Sequence, residues 1–236
     1  MNDRLQKVLD SGILRVGTTM DTPVFSMRGA SGRLEGFDMD ALETLAPALG
    51  VTIEYVKMTF GTMLPDLLAD KFDVAMSGMG RTLDRARTAT FSKPYMRYGK
   101  LMMIRNSDKE RYRTLADLDE PGLKIAYNRG GLNDHFANTQ FKQASAIGYP
   151  SNEVATADLL AGKVDAQVQD STAAIYRERI DPRFSAMSPS NVFNPVYVAL
   201  LLRREDRSLQ NYIDIWIDQI ELDGTLKRIR SKWLGE

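Results

Sequence analysis

The chain has 236 residues; 31 basic and 31 acidic side chains cancel, and 43% of residues are hydrophobic against 26% charged. This is the make-up of a globular chain long enough for one large domain or two small ones, and its pI near 6.6 leaves no electrostatic footprint for nucleic acid or an anionic membrane. Having no cysteine and one histidine, His135, the chain excludes disulfides, thiolate nucleophiles and multi-histidine metal centres, so neither a metal nor a cofactor is expected.

Leu5, Val8 and Leu9 are spaced as one helical face, which Ser11-Gly12 ends before a strand at Ile13–Thr18. A short loop leads to a helix over 38–49, stopped by Gly50, and to the alternating strand 51–56. A helix over 60–69 and a strand at 72–76 repeat the unit. Strand-helix alternation of this kind signals an open, largely parallel sheet. A long strand is expected at 98–104, and the alternation then resumes. Strands at 124–127, 144–149 and 164–168 interleave with helices near 132–140, 152–161 and 170–179. Val196–Leu202, the longest apolar run, reads as another long strand and is far short of the roughly 20 residues that span a bilayer. Amphipathic helices from Ser208 to Leu222 and after Gly224 complete the chain. The N-terminal Met-Asn-Asp-Arg-Leu lacks the pattern of a signal peptide.

Several motifs then stand in a recognisable order: Gly12-Ile-Leu-Arg-Val-Gly-Thr18, Gly36-Phe-Asp-Met-Asp40, Lys71-Phe-Asp-Val-Ala-Met-Ser-Gly-Met79, Thr82-Leu-Asp-Arg85, Phe91-Ser-Lys-Pro-Tyr95, Gly162-Lys-Val-Asp-Ala166 and Asp223-Gly-Thr. Through them nearly the whole chain resembles the periplasmic solute-binding proteins that serve polar amino-acid transporters. Within that family Tyr98-Gly-Lys100 and Asn128-Arg-Gly-Gly-Leu-Asn133 look most like the cyclohexadienyl dehydratases, enzymes built on the same fold.

The resemblance implies a bilobal α/β fold of the type II periplasmic-binding-protein kind: one lobe from residues 1–97 and 200–236, the other from 102–195. Hinge strands at about 98–104 and 196–202 would let a ligand cleft close. It implies a small carboxylate or zwitterionic ligand, an ABC transporter permease as partner, and a periplasmic location with the signal peptide absent from this sequence.

Candidate site residues follow from both readings. Ser77, Gly78 and Met79 end a strand, Thr82 is a plausible N-cap, and Arg85 in the next turn offers a guanidinium fork for a ligand carboxylate; the alternative is a solvated arginine, the reading given to Arg81 and Arg87. Asp170 is placed by the resemblance to receive a ligand ammonium, and reads equally well as a helix N-cap. Asp21 is a second candidate for a cationic group. Phe60 is an aromatic platform or a core residue at a helix start. Lys100 and Asn133 match the dehydratases and suit a second carboxylate or a hydroxyl, while Gly131 and Leu132 line the same segment. Departures from the family are Thr22 where a tyrosine is expected, Gly80 in place of a threonine, and Leu132 in place of a hydroxyl residue.

The dehydratases need a general acid for the departing hydroxyl. The resemblance places that glutamate where this chain has Ala173, and Glu178, about 7.5 Å farther along a helix, faces another side. The expectation is a binding protein rather than a prephenate or arogenate dehydratase.

Overall fold

A computed structural model describes residues 3–187 and 192–235; Met1 and the final Glu236 lie outside the described residues. The chain divides into two units, one from 1–97 with 196–236 and the other from 98–195. Among residues expected to connect the lobes, 98–101 fall in the second unit and 196–199 in the first.

The first unit begins with α1 (Arg4–Ser11), β1 (Ile13–Thr18), the short strands β2 (Met27–Arg28) and β3 (Leu34–Glu35), and α2 (Phe37–Leu49). It continues through β4 (Thr52–Lys57), α3 (Met63–Leu68), β5 (Val74–Ala75), α4 (Leu83–Ala86) and β6 (Ala89–Phe91). The long strand β7 (Met96–Arg105) carries the chain into the second unit, with α5 (Leu115–Leu118), β8 (Lys124–Asn128), α6 (Leu132–Gln140), β9 (Ser145–Tyr149), α7 (Asn152–Leu160), β10 (Ala166–Asp170), α8 (Ser171–Ile180) and β11 (Phe184–Ala186). The return is β12 (Phe193–Val198), followed by β13 (Leu201–Arg203), α9 (Arg207–Leu222) and α10 (Thr225–Leu234).

In the first unit the strand order is β4-β1-β5-β13-β6. β1 is parallel to β4 and β5, as helical crossovers require, and β13 is antiparallel to β5 and β6. One face buries Met63, Leu67, Phe72, Met79 and Leu201. In the second unit the order is β11-β7-β10-β8-β9, with β12 paired to β7. There β8 is parallel to β9 and β10, and β7 runs antiparallel to β10. Two apolar clusters fill it, one around Tyr112, Phe136 and Val168, the other around Leu101, Leu159 and Phe184.

Three expectations need correction. The helix expected from residue 60 begins at Met63, and Phe60 lies in the preceding turn, where Thr59 and Thr62 bond each other's backbone N–H groups. The single strand expected over 196–202 is two strands in different sheets, interrupted by Ala199 and Leu200. Val198 to Leu202 are buried on both sides of the break, whereas Tyr197 is exposed, and the apolar run continues across it in sequence. The strand expected to stop at Val168 reaches Asp170, which is its last residue and not a loop residue beyond it.

Candidate functional site

Open α/β sheets present ligand-binding groups beyond the carboxyl ends of their parallel strands. In the first unit those ends carry Thr19 after β1, Phe60 after β4 and Ser77-Gly78 after β5. Thr19 and Ser77 share a hydroxyl–hydroxyl hydrogen bond of 2.9 Å, Ser77 bonds the Ser26 hydroxyl at 2.8 Å, and Thr19 bonds Thr22 at 2.7 Å. All four side chains are buried. Thr22 thus contributes a hydroxyl to this network where the family resemblance calls for a ring.

Beneath the network lies Asp38, fully buried in the first turn of α2. Its carboxylate accepts the Gly78 N–H and the Tyr95 hydroxyl, each at 2.7 Å. Burial pushes its carboxyl up to about 7, while the bonds from Tyr95 and Gly78 pull the other way. Phe37 and Asp38 donate their backbone N–H groups to the Val24 and Phe25 carbonyls at 2.6 and 3.1 Å, which satisfies the opening donors of the helix. Val24 meets this demand at φ 71°, a costly conformation for a β-branched residue. Two glycines allow the close approach. A Cβ on Gly36 would lie 2.3 Å from the Phe25 carbonyl oxygen, and one on Gly78, at φ +62°, 2.6 Å from the Phe25 ring.

Arg85 sits in α4, capped by Thr82, whose hydroxyl accepts the Arg85 N–H at 3.2 Å. The side chain is buried, 9% exposed, and donates from Nη1 to the Gly80 carbonyl at 2.9 Å. Gly80 is itself anchored by a bridge to Val198. Arg81 and Arg87 are exposed.

The remaining first-unit candidates are less alike. Met79 is fully buried and its side chain belongs to the apolar core, so only its backbone belongs to the strand end. Phe60 is half-buried against that same core. Asp21 is half-buried in the loop after β1.

In the second unit Asp170 and Lys100 are register partners in the antiparallel β10–β7 pair. Lys100 Nζ bonds Asp170 Oδ1 in an ion pair whose residues are 3% and 6% exposed. Asp170 does occupy the N-cap position of α8, but its side chain makes no capping bond, because the lysine takes it. The Lys100 ammonium also lies 5.1 Å from the Tyr98 ring centroid. Next to it the Gly99 N–H donates to the Ser171 hydroxyl at 3.2 Å.

Gly131 is the N-cap of α6 and Leu132 its first residue, both half-buried. Asn133, buried, donates Nδ2 to Asn128 Oδ1 at 2.7 Å, and its own Oδ1 is buried without a partner. Ala173 is buried on α8, while Glu178 Oε1 accepts the Ser185 hydroxyl at 2.9 Å and the Ala186 N–H at 3.3 Å. Glu178 therefore fastens α8 to β11. His135 is exposed on α6.

Asp38, Tyr95, Thr19 and Ser26 were not singled out from sequence. Asp38 and Tyr95 do stand inside two of the recognised motifs, and that was the available signal.

The family model for bacterial extracellular solute-binding proteins, family 3, matches residues 14–236. Cyclohexadienyl dehydratase of Pseudomonas aeruginosa is 36% identical over 231 residues, 98% of this chain and 86% of that protein. The histidine-binding periplasmic protein of Salmonella typhimurium is 27% identical over 230 residues, 93% of this chain and 86% of that protein. Among solved structures, an ancestral amino acid-binding protein described as a precursor of cyclohexadienyl dehydratase superposes with a TM-score of 0.92 at 30% identity, covering 98% of this chain and 99% of that one. A mutant of ArgBP from T. maritima gives 0.91 at 28%, covering 99% and 100%. The motif order, the two α/β units and this match over almost the whole length lead to one conclusion: the chain belongs to family 3 of the bacterial extracellular solute-binding proteins.

Proposed function

We propose that the chain captures a small carboxylate-bearing solute, an amino acid or a related organic acid, outside the cytoplasmic membrane and delivers it to an ABC transporter permease. The observation that carries this reading is Arg85, a buried guanidinium held by Gly80 in the segment that follows β5. A guanidinium in a poorly solvated site binds a carboxylate through paired N–H donors. Relatives named for binding arginine, histidine and cystine support it. No helix among the described residues is long and apolar enough to cross a membrane.

The test is calorimetry on the wild type and on Arg85→Ala across amino acids and organic acids. The variant should lose binding while keeping its circular dichroism spectrum and cooperative unfolding; undiminished affinity would return Arg85 to a structural role.

A second reading, prephenate or arogenate dehydratase, is favoured by the 36% identity to such an enzyme and by Lys100 and Asn133. It lacks an acid. Ala173 has no proton to donate, and Glu178 is committed to β11.

A further inference from the structure

We propose that Asp38 is a positioning residue for solute binding: its carboxylate selects the orientation of the Ser77–Gly78 peptide that sets the segment leading to Arg85. This rests on the binding reading above and deepens it.

Asp38 is fully buried, so it acts through its partners and not on the solute itself. β5 ends at Ala75, and beyond it Gly78 stands at φ 62°, only one of the conformations open to a glycine. Turning the Ser77–Gly78 peptide over would exchange the places of the Gly78 N–H and the Ser77 carbonyl. The carboxylate decides between the two. When ionised it can only accept, so it takes the Gly78 N–H at 2.7 Å, and a reversed peptide would set a carbonyl oxygen against it. In a buried setting that contrast is strengthened.

The choice is passed on to Arg85. Beyond Gly78 the Met79 carbonyl accepts the Ala199 N–H at 3.0 Å, Gly80 bridges to Val198, and the Arg81 N–H donates to the Tyr197 carbonyl at 2.7 Å. The Val198 carbonyl accepts the Tyr95 N–H at 3.0 Å, and the Tyr95 hydroxyl returns to Asp38 at 2.7 Å. Phe37 stacks on the Tyr95 ring at 5.9 Å between centroids and holds it there. A closed ring of contacts therefore runs from Asp38 through Gly78, Gly80, Val198 and Tyr95 back to Asp38, entirely within the first unit. Asp38 is its one charged member. The Gly80 carbonyl, fixed from both sides of the ring, is the group that accepts Arg85 Nη1 at 2.9 Å. Without the carboxylate the peptide is free to reverse, and if about a tenth of the molecules keep the competent orientation, affinity falls about tenfold.

Calorimetry on the wild type with arginine, histidine, cystine, glutamate and 2-oxoglutarate selects the tightest binder as the probe. Measurements are made above pH of about 8, where Asp38, raised to about 7, is ionised. Asp38→Asn, whose amide oxygen still accepts the Gly78 N–H, should bind the probe within about threefold of wild type. Asp38→Ala, studied at a temperature where it is folded, should bind at least about tenfold more weakly. Leu45→Ala, from the buried face of the same helix, should lower stability and leave affinity unchanged. In the solute-free wild type the Gly78 amide should exchange its hydrogen slowly. Wild-type affinity in a folded Asp38→Ala protein, or an equal loss in Leu45→Ala, would overturn the proposal and leave the binding reading standing. Rapid exchange at Gly78 would overturn it as well; that measurement needs no variant, so failure of Asp38→Ala to fold does not remove the test. No binding of any compound by the wild type would overturn both.

Discussion

Replacing Asp38 with asparagine isolates a buried charge at the heart of the first unit. The asparagine has the same shape, accepts the Gly78 N–H through its oxygen, and donates its amide to the Tyr95 oxygen, whose hydroxyl can rotate to accept. A protonated Asp38 would make the same two contacts, so Asp38→Asn mimics the neutral acid. The carboxyl is raised from its ordinary 3.8 to about 7 in the folded chain. The native protein therefore keeps a proton over a pH range in which the unfolded chain has released it. At about 1.4 kcal/mol per pKa unit, the displacement corresponds to roughly 4 kcal/mol.

The direction follows from the raised value. This contribution is present in full below pH of about 4, declines as pH rises towards 7, and is flat above it. The variant does not titrate at this site, so its stability relative to wild type should climb by roughly 4 kcal/mol across that window. Comparison with the variant cancels the carboxylates elsewhere, such as Asp181, which Arg183 holds at about 2. Urea unfolding followed by tryptophan fluorescence is the assay, because Trp216 and Trp233 both lie in the unit that holds Asp38. Parallel stability curves for the two proteins would refute the reasoning. They would mean that Gly78, Tyr95 and the start of α2 keep Asp38 ionised throughout.

Gly78→Ala should destabilise the first unit by about 2 kcal/mol or more and weaken solute binding, since it adds a Cβ in a left-handed conformation against the Phe25 ring; an unchanged urea midpoint would contradict this. Prephenate should yield no phenylpyruvate above the spontaneous rate at neutral pH, because general acid catalysis worth about 10² to 10⁴-fold has no donor at Ala173. Turnover near about 10 per second would establish the enzyme reading. Arg4→Met should cost about 3 kcal/mol, because it strips one cation from Asp73, 2% exposed, which Arg4 bonds at 3.0 Å. Denaturant titration checks it, and a loss within about 0.5 kcal/mol would show that Arg15 alone suffices.

Elements with a period were legible in the sequence. The helix at 132–140 and the strands at 13–18 and 124–127 were recognised because apolar residues recur there at helical or strand spacing, and glycines or N-caps mark several of their ends. The two- and three-residue strands β2, β3 and β11 are too short to carry a period. The break at Ala199 was invisible because the residues on either side of it are all apolar, so the chain changes sheets with no change in hydrophobicity. In the site, single residues were visible and their pairings were not. Lys100 and Asp170 meet through an antiparallel register 70 residues apart, and nothing local in either segment announces the other. Asp38, Gly78 and Tyr95 stood in three separate motifs, and only the fold shows that one carboxylate ties those motifs together.

The discontinuity of the first unit shapes how it is made. β13 lies between β5 and β6 in the sheet, while α9 and α10 close over α2 through Trp216 to Thr44 at 3.1 Å and Trp233 to Asp40 at 2.8 Å. All three elements are synthesised after the second unit is complete. Until they arrive, β5 and β6 have no strand between them and α2 exposes the surface those tryptophans cover. The second unit, continuous in sequence from 98 to 195, carries no such debt to later residues. A ribosome-bound or partly translocated chain would therefore hold one folded unit beside an unfinished one, a state with bare strand edges that chaperones bind. Chain cleavage after residue 195 would recreate it, sparing the second unit while removing β13, α9 and α10 from the first.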